Sequence, residues 1–200
     1  MARPRKRRSY VQTARAEAAS ESARRVLEAA GSLLMERWYD DVTLEDIAER
    51  AGVTARTVQR RFVSKENLAR EFFIAAGQAN AAFRDSVPVG QVDAAVSAIV
   101  GMYEQQGDAI IRYLTLELRI PLVAEVIAGG RALHRHWVER VFSPLIVEGD
   151  RQPVVTLLVV ATDVYTWKLI RRDAGHSRDA TEELMRTLVT AALAPGKRRS

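Results

Sequence analysis

Thr43 to Lys65, TLEDIAERAGVTARTVQRRFVSK, packs two short amphipathic helices, a tight turn and a basic cluster into one stretch. Thr43 precedes apolar residues at Leu44, Ile47 and Ala48, with Asp46 three positions on. That is the pattern of an N-cap followed by a capping-box acid, and it predicts a helix over about 44–50. Ala51-Gly52-Val53 should end it, because glycine accepts the left-handed conformation that a helix C-terminus asks for. Thr54 then caps a second helix over about 55–61.

With Val58 taken as the inward direction and 100° per residue, Phe62 falls beside it. Arg56 and Arg60 point almost directly away, flanked by Thr57 and Gln59. Two helices joined by a short glycine-containing turn form a helix-turn-helix, whose second helix fits a major groove about 12 Å wide. Between Thr54 and Lys65 the charged residues are Arg56, Arg60, Arg61 and Lys65, with no acid, as a helix pressed against phosphates requires. The acids of the first helix, Glu45, Asp46 and Glu49, should face away from DNA.

The stretch Ser22 to Phe73, with TLEDIAERAGV, a capping Thr54, RF at 61–62 and SKENL at 64–68, resembles the DNA-binding domain of TetR-family transcriptional repressors. It departs from the family pattern at Gln59, where an aromatic is common, and at Trp38, where glycine is usual. The candidate DNA-binding residues are Thr43, Thr54, Arg56, Thr57, Gln59, Arg60, Arg61 and Lys65. The expected fold is all-α: an N-terminal three-helix helix-turn-helix domain and a C-terminal helical bundle, about nine helices in total.

Composition agrees with a soluble globular protein, at 48% hydrophobic and 28% charged residues. With no cysteine, disulfides, thiolate zinc sites and cysteine nucleophiles are excluded. The longest apolar run, Pro153 to Val164, is interrupted by Asp163 and reads as too short for a bilayer. The basic start, Arg3 to Arg8, runs into polar sequence and not an apolar core, so no secretion signal, no membrane partner and a cytoplasmic location are expected. Residues 1–84 carry 16 basic and 11 acidic side chains, whereas 85–200 carry 14 of each. The whole excess of +5 therefore lies with the helix-turn-helix, which argues for a polyanionic partner at that end.

Residues 1–19 read as a basic arm, flexible or partly helical, serving either solubility or phosphate contact. Residues 20–66 form the DNA-binding domain and 67–200 the ligand-binding and dimerisation domain. A first helix over 22–37 should end at Trp38 and Tyr39, both expected in the core. Ser64 should cap a helix over about 65–84 that leads to a boundary at Val87-Pro88-Val89-Gly90. Further helices are expected over about 92–106, 109–120, 121–146, 153–173 and 179–193, with Gly107 marking an end and Gly129-Gly130 or Pro144 a kink. The segment 153–170 is apolar nearly all round, which points to a homodimer formed through the last two helices.

No catalytic motif is present, and no enzyme activity, metal or cofactor is expected. His134 and His136 face about 200° apart on a helix and cannot chelate one ion, and His176 sits in an exposed turn. Tyr103, Tyr113, Trp137, Phe142, Tyr165 and Trp167 suit a packed core. The family resembled encloses an effector pocket in its C-terminal body, which makes Tyr103, Tyr113, Trp137 and Trp167 candidate ligand-binding residues for an apolar or aromatic small molecule. A single charged group on it would pair with Arg119 or Arg135. The expected function is that of a transcriptional repressor on a pseudo-palindromic operator in double-stranded DNA, released by that effector. The alternative is a constitutive DNA-binding protein whose C-terminal domain serves only dimerisation.

Overall fold

Arg5–Glu36 form one helix, α1, since a stretch rich in Ala, Arg and Glu with no internal proline favours helix throughout. The computed structural model describes residues 5–147 and 151–194, with side chains from Glu17 onward. The segment expected as an arm is thus continuous with the first helix from Arg5, while Arg3 lies outside the described residues. Val26, Ala30, Leu33 and Leu34 form the buried face of α1. At Trp38 the chain is extended (φ −64°, ψ 144°) and enters a single 3-10 turn, Tyr39–Asp41. Consecutive residues then point to opposite sides, so Tyr39 is buried and Trp38 is 43% exposed, contrary to the expectation for Trp38.

α2, Leu44–Ala51, starts with a capping box: Thr43 Oγ1 accepts the N–H of Asp46 at 3.1 Å, and the Asp46 carboxylate accepts the N–H of Thr43 at 2.9 Å. Gly52, at φ 66°, closes it. α3, Ala55–Phe62, is capped by Thr54, whose Oγ1 accepts the N–H of Thr57 at 3.2 Å. α4, Lys65–Asp85, is capped by Ser64, whose Oγ accepts the N–H of Asn67 at 3.1 Å.

Between α3 and α4 stands Val63, at φ 69° and ψ −48° with the N–H of Ser64 donating to the carbonyl of Phe62 at 2.8 Å. This is a tight γ-turn of the strained kind, held by a β-branched residue that is itself 70% exposed. Such strain costs about 1–3 kcal/mol, and glycine's extra chain entropy takes back about 0.5–1 kcal/mol. Val63→Gly should therefore raise the unfolding free energy by about 1 kcal/mol, measured in urea; a loss would show that the Val63 side chain contributes packing that its exposure does not suggest.

The chain divides into two units, Met1–Ala75 and Ala76–Ser200, and the boundary falls inside α4. In the first, α1 packs on α2 and α2 on α3, around Leu33, Leu34, Val42, Ile47, Val58, Phe62 and Leu68. The second is built from α5, Val92–Leu116; α6, Pro121–Phe142; α7, Arg151–Ala161; α8, Val164–Lys168, which runs into a π-helical turn Leu169–Asp173; and α9, Arg178–Leu193. α5 packs on α6, α8 and α9, and α7 on α6 and α9, around Val96, Val100, Val138, Phe142, Leu158, Trp167 and Met185.

Three expectations are corrected here. Gly107 does not end a helix: α5 runs straight through it, because a Cβ at that position would lie closer than 3.0 Å to three atoms of the Trp167 ring. α6 is shorter than the expected 121–146: it runs unbroken through Gly129-Gly130 and ends at Phe142, and Pro144 sits in a following 3-10 turn, Ser143–Leu145. The long apolar segment is broken where Asp163, extended at ψ 153°, caps α8 by accepting the N–H of Tyr165 at 2.8 Å. By length and composition Arg151–Asp173 is apolar enough to cross a membrane, which the shorter count from Pro153 to Val164 did not show. The break at Asp163 divides that stretch into α7 and α8.

Candidate nucleic-acid interface

On α3 the side chains sort as the 100° step requires. Val58 and Phe62 are 0% and 2% exposed, while Arg56, Gln59 and Arg60 are exposed and Thr57 is half-buried. Thr57 Oγ1 lies 2.9 Å from Thr54 Oγ1, so the two hydroxyls share a hydrogen bond at the helix N-terminus. Thr43 holds the equivalent place on α2 and also bonds Asp46 through its hydroxyl at 2.7 Å.

The other cations of this unit are mostly occupied. Arg37 pairs with Asp46 at 3.4 Å, Arg50 with Glu36 at 2.8 Å, and Arg61 with Glu71 at 3.6 Å while lying over the Phe62 ring. Lys65 donates to the carbonyl of Tyr39 at 2.9 Å and sits 4.4 Å from the centre of the Tyr39 ring. Burial pushes its ammonium below the usual lysine range, against the opposing pull of Asp40 and Asp41. Lys65 thus pins the Tyr39 turn to the start of α4. Among the described residues Arg56 and Arg60 have neither an ion-pair partner nor a side-chain hydrogen bond. Two unpaired guanidiniums flanking an exposed amide on one helical face make a surface built to receive anionic and hydrogen-bonding groups from outside.

Residues 26–72 match the family described as bacterial regulatory proteins, tetR family. Those residues, which hold α2 and α3, carry a TetR-family N-terminal domain. Similar folds are found in a transcriptional regulator from Rhodococcus sp. Rha1, with TM-score 0.70, 18% identity, and 86% of this chain and 95% of that one covered. A Mesorhizobium loti MAFF303099 protein assigned to the TetR family of transcriptional regulators has TM-score 0.67 and 17% identity, with 88% and 96% covered. Salmonella enterica GusR has TM-score 0.66 and 19% identity, with 87% and 96% covered. No curated protein sequence matches the chain. The TetR-family match over residues 26–72 and the helix-turn-helix together support DNA-binding transcriptional regulation.

In the C-terminal unit, the four candidate ligand residues Tyr103, Tyr113, Trp137 and Trp167 are 4%, 7%, 2% and 0% exposed. Tyr103 and Trp167 are neighbours, with ring centres 5.8 Å apart, and the Trp167 indole N–H donates to Glu104 at 3.0 Å. Burial pushes the Glu104 carboxyl up, but bonds from Arg171 and Trp167 outweigh it and leave it below the usual range. Tyr165, by contrast, is half-exposed. Arg135 pairs with Glu139 at 3.1 Å and donates to Gln152 at 2.7 Å, and Arg119 is exposed.

A buried polar cluster was not visible in the sequence. Arg84, at the end of α4, is 6% exposed, and its Nη1 lies 3.0 Å from Nδ1 of His134, which is also 6% exposed. His134 Nε2 lies 3.1 Å from the Thr162 hydroxyl, and Tyr103 donates its hydroxyl to the Thr162 carbonyl at 3.0 Å. The His134 ring stacks on Trp137, and the Arg84 guanidinium lies 5.2 Å from the centre of that same ring. Only a signal joining positions 50 apart could have shown the Arg84–His134 pair. His136 is exposed, and among the described residues no cluster of His, Asp and Glu could hold a metal ion.

Burial, with a smaller push from Arg84, lowers the His134 pKa to about 4. The folded value lies below the unfolded one of about 6.5, so the unfolded state binds the extra proton and stability falls as pH drops from 6.5 towards 4. The shift corresponds to about 3 kcal/mol. In His134→Gln the loss of unfolding free energy between pH 7 and pH 4 should be smaller by roughly that amount. An identical pH dependence in the two proteins, read by urea unfolding, would mean His134 titrates normally.

Proposed function

We propose that this protein is a dimeric TetR-family repressor that reads a pseudo-palindromic operator with the Arg56, Thr57, Gln59 and Arg60 face of α3 and leaves it when a small molecule binds the C-terminal unit. The observation that carries the reading is the pair of exposed, unpaired guanidiniums, Arg56 and Arg60, on a helix whose opposite face is fully buried. Thr43 and Thr54 place two helix N-termini, with their unpaired N–H groups, where phosphates approach, and Arg61 and Lys65 add positive field beside them. The action is cytoplasmic, where operator DNA lies.

Dimerisation rests on the surface of α7 and α9. Leu157 and Val160 on α7 are 54% and 58% exposed, and Leu184 and Leu188 on α9 are 39% and 44% exposed. Those two helices pack on each other through Val155, Leu158, Met185 and Val189, which leaves an outer apolar surface for the same helices of a second copy. A two-fold pair of this kind presents two copies of α3 to two half-sites.

Release by a ligand rests on α4, which begins at Lys65 beside the reading helix and ends at Asp85 within the C-terminal unit. A compound that binds one arrangement of α4 better than another shifts operator affinity by that difference, about 5- to 150-fold for a coupling of 1–3 kcal/mol. The close packing of Tyr103, Trp137 and Trp167 favours the second reading, a constitutive DNA binder with a purely structural body. Selection of bound duplexes from a random pool, then titration of the selected duplex with small molecules, decides between them. An enriched two-fold site that is released by a compound supports the repressor; an enriched site that no body-binding compound releases supports the constitutive binder; no enrichment rejects both.

A further inference from the structure

The cluster around Arg84 carries more donors and more positive charge than the protein supplies acceptors for. Arg84 is buried beside Trp137, and among the described residues no carboxylate pairs with it. Its Nε–H and the indole N–H of Trp137 are both buried without a hydrogen-bond partner. The Tyr103 hydroxyl lies within reach of the Arg84 guanidinium as a neutral acceptor, and the other acceptors nearby are already engaged. His134 Nδ1 receives Arg84, and the Thr162 carbonyl receives Tyr103. The Thr162 hydroxyl itself donates to the carbonyl of Leu158 at 2.7 Å. Asp163, half-buried, accepts the N–H of Tyr165, and Asp85 lies 3.8 Å from Arg140, whose guanidinium is held by the carbonyls of Arg84 and Val87. A buried cation with no counter-ion is retained against a large desolvation penalty, and orphaned donors beside it add to that penalty.

One chemical group removes both deficits: a carboxylate brings one negative charge and two oxygens that accept a guanidinium and a neighbouring N–H together. Around the cluster the core is apolar and aromatic, with Tyr103, Trp137, Val138 and Leu158 all buried. We infer that the effector is an apolar or aromatic acid, bound in the C-terminal unit with its carboxylate on Arg84 and the Trp137 N–H and its apolar part among the surrounding side chains. This assignment rests on the reading of the protein as a ligand-released regulator and names the class of ligand. Arg84 also has the right place for such a role. It is the penultimate residue of α4, and its own carbonyl is fixed by Arg140 at 2.6 Å, so a new partner for its side chain acts on the end of that helix.

The test is calorimetric titration of the full chain with decanoate and 2-naphthoate, each beside its primary amide, on wild type and on Arg84→Met, Arg84→Lys and Trp137→Phe. The acids should bind the wild type at least tenfold more tightly than their amides. Arg84→Met should abolish that preference, Arg84→Lys should keep most of it, and Trp137→Phe, which keeps a ring and loses the N–H, should reduce it several-fold. Equal binding of acid and amide, no binding by either acid, or an undiminished preference in Arg84→Met overturns the assignment. Acid binding at Arg84 that leaves the affinity for the selected duplex unchanged would instead overturn ligand release while the site stands.

Discussion

Leu188→Glu will turn the protein into a monomer and lower its affinity for a two-half-site operator by about 100-fold or more. The side chain is 44% exposed in the single chain, on the same helix as Leu184 at 39%, so the change leaves the chain's own core intact. In a two-fold interface each substitution enters twice, and an unpaired carboxylate removed from water costs several kcal/mol. Loss of the second half-site contact then removes the gain that linking two weak contacts provides. Sedimentation velocity and circular dichroism on the same sample separate dissociation from unfolding. A folded dimer carrying Leu188→Glu would place the interface elsewhere.

Gly107→Ala will lower the unfolding free energy of the C-terminal unit by about 1 kcal/mol, although alanine is the better helix former. The added methyl would stand closer than 3.0 Å to three atoms of the Trp167 ring. That ring has no room to withdraw, being 0% exposed and tethered through its N–H to Glu104. Overpacking of this kind costs about 1–3 kcal/mol or more, against a gain of about 0.5–1 kcal/mol from replacing glycine in a helix interior. Gly129→Ala supplies the contrast: it lies in α6 with nothing within 4 Å of the new methyl, so it should stabilise by about 0.5–1 kcal/mol. If both changes stabilise, the Trp167 contact is looser than the geometry shows.

Gly52 and Gly107 mark where sequence reasoning held and where it stopped. The caps at Thr43, Thr54 and Ser64 and the left-handed Gly52 are local features, each decided by residues within about four positions, and the helix-turn-helix was legible for that reason. By the same local rule Gly107 reads as a helix end, but its neighbour Trp167 comes from α8, far along the chain, and packing overrode the local preference. Asp163 was visible as an interruption of an apolar run, yet its role as a cap depends on an extended backbone that periodicity does not show. On α3, exposure followed from the helical step, whereas the engagement of Lys65 with Tyr39 joins positions 26 apart and was hidden. The Arg84 cluster was hidden in the same way, since it joins α4 to α6 and to Thr162, which follows α7.

The most direct measurement is the affinity of wild type and Arg56→Ala for the selected duplex and for a scrambled duplex of equal length and salt. A bidentate arginine contact to guanine is worth about 1–3 kcal/mol of discrimination at its own base pair. Expected is a loss of roughly that size on the selected duplex for Arg56→Ala, relaxed preference at one base step in each half-site, and little change on the scrambled duplex. Equal losses on both duplexes, or none on either, would contradict base reading by the exposed face of α3.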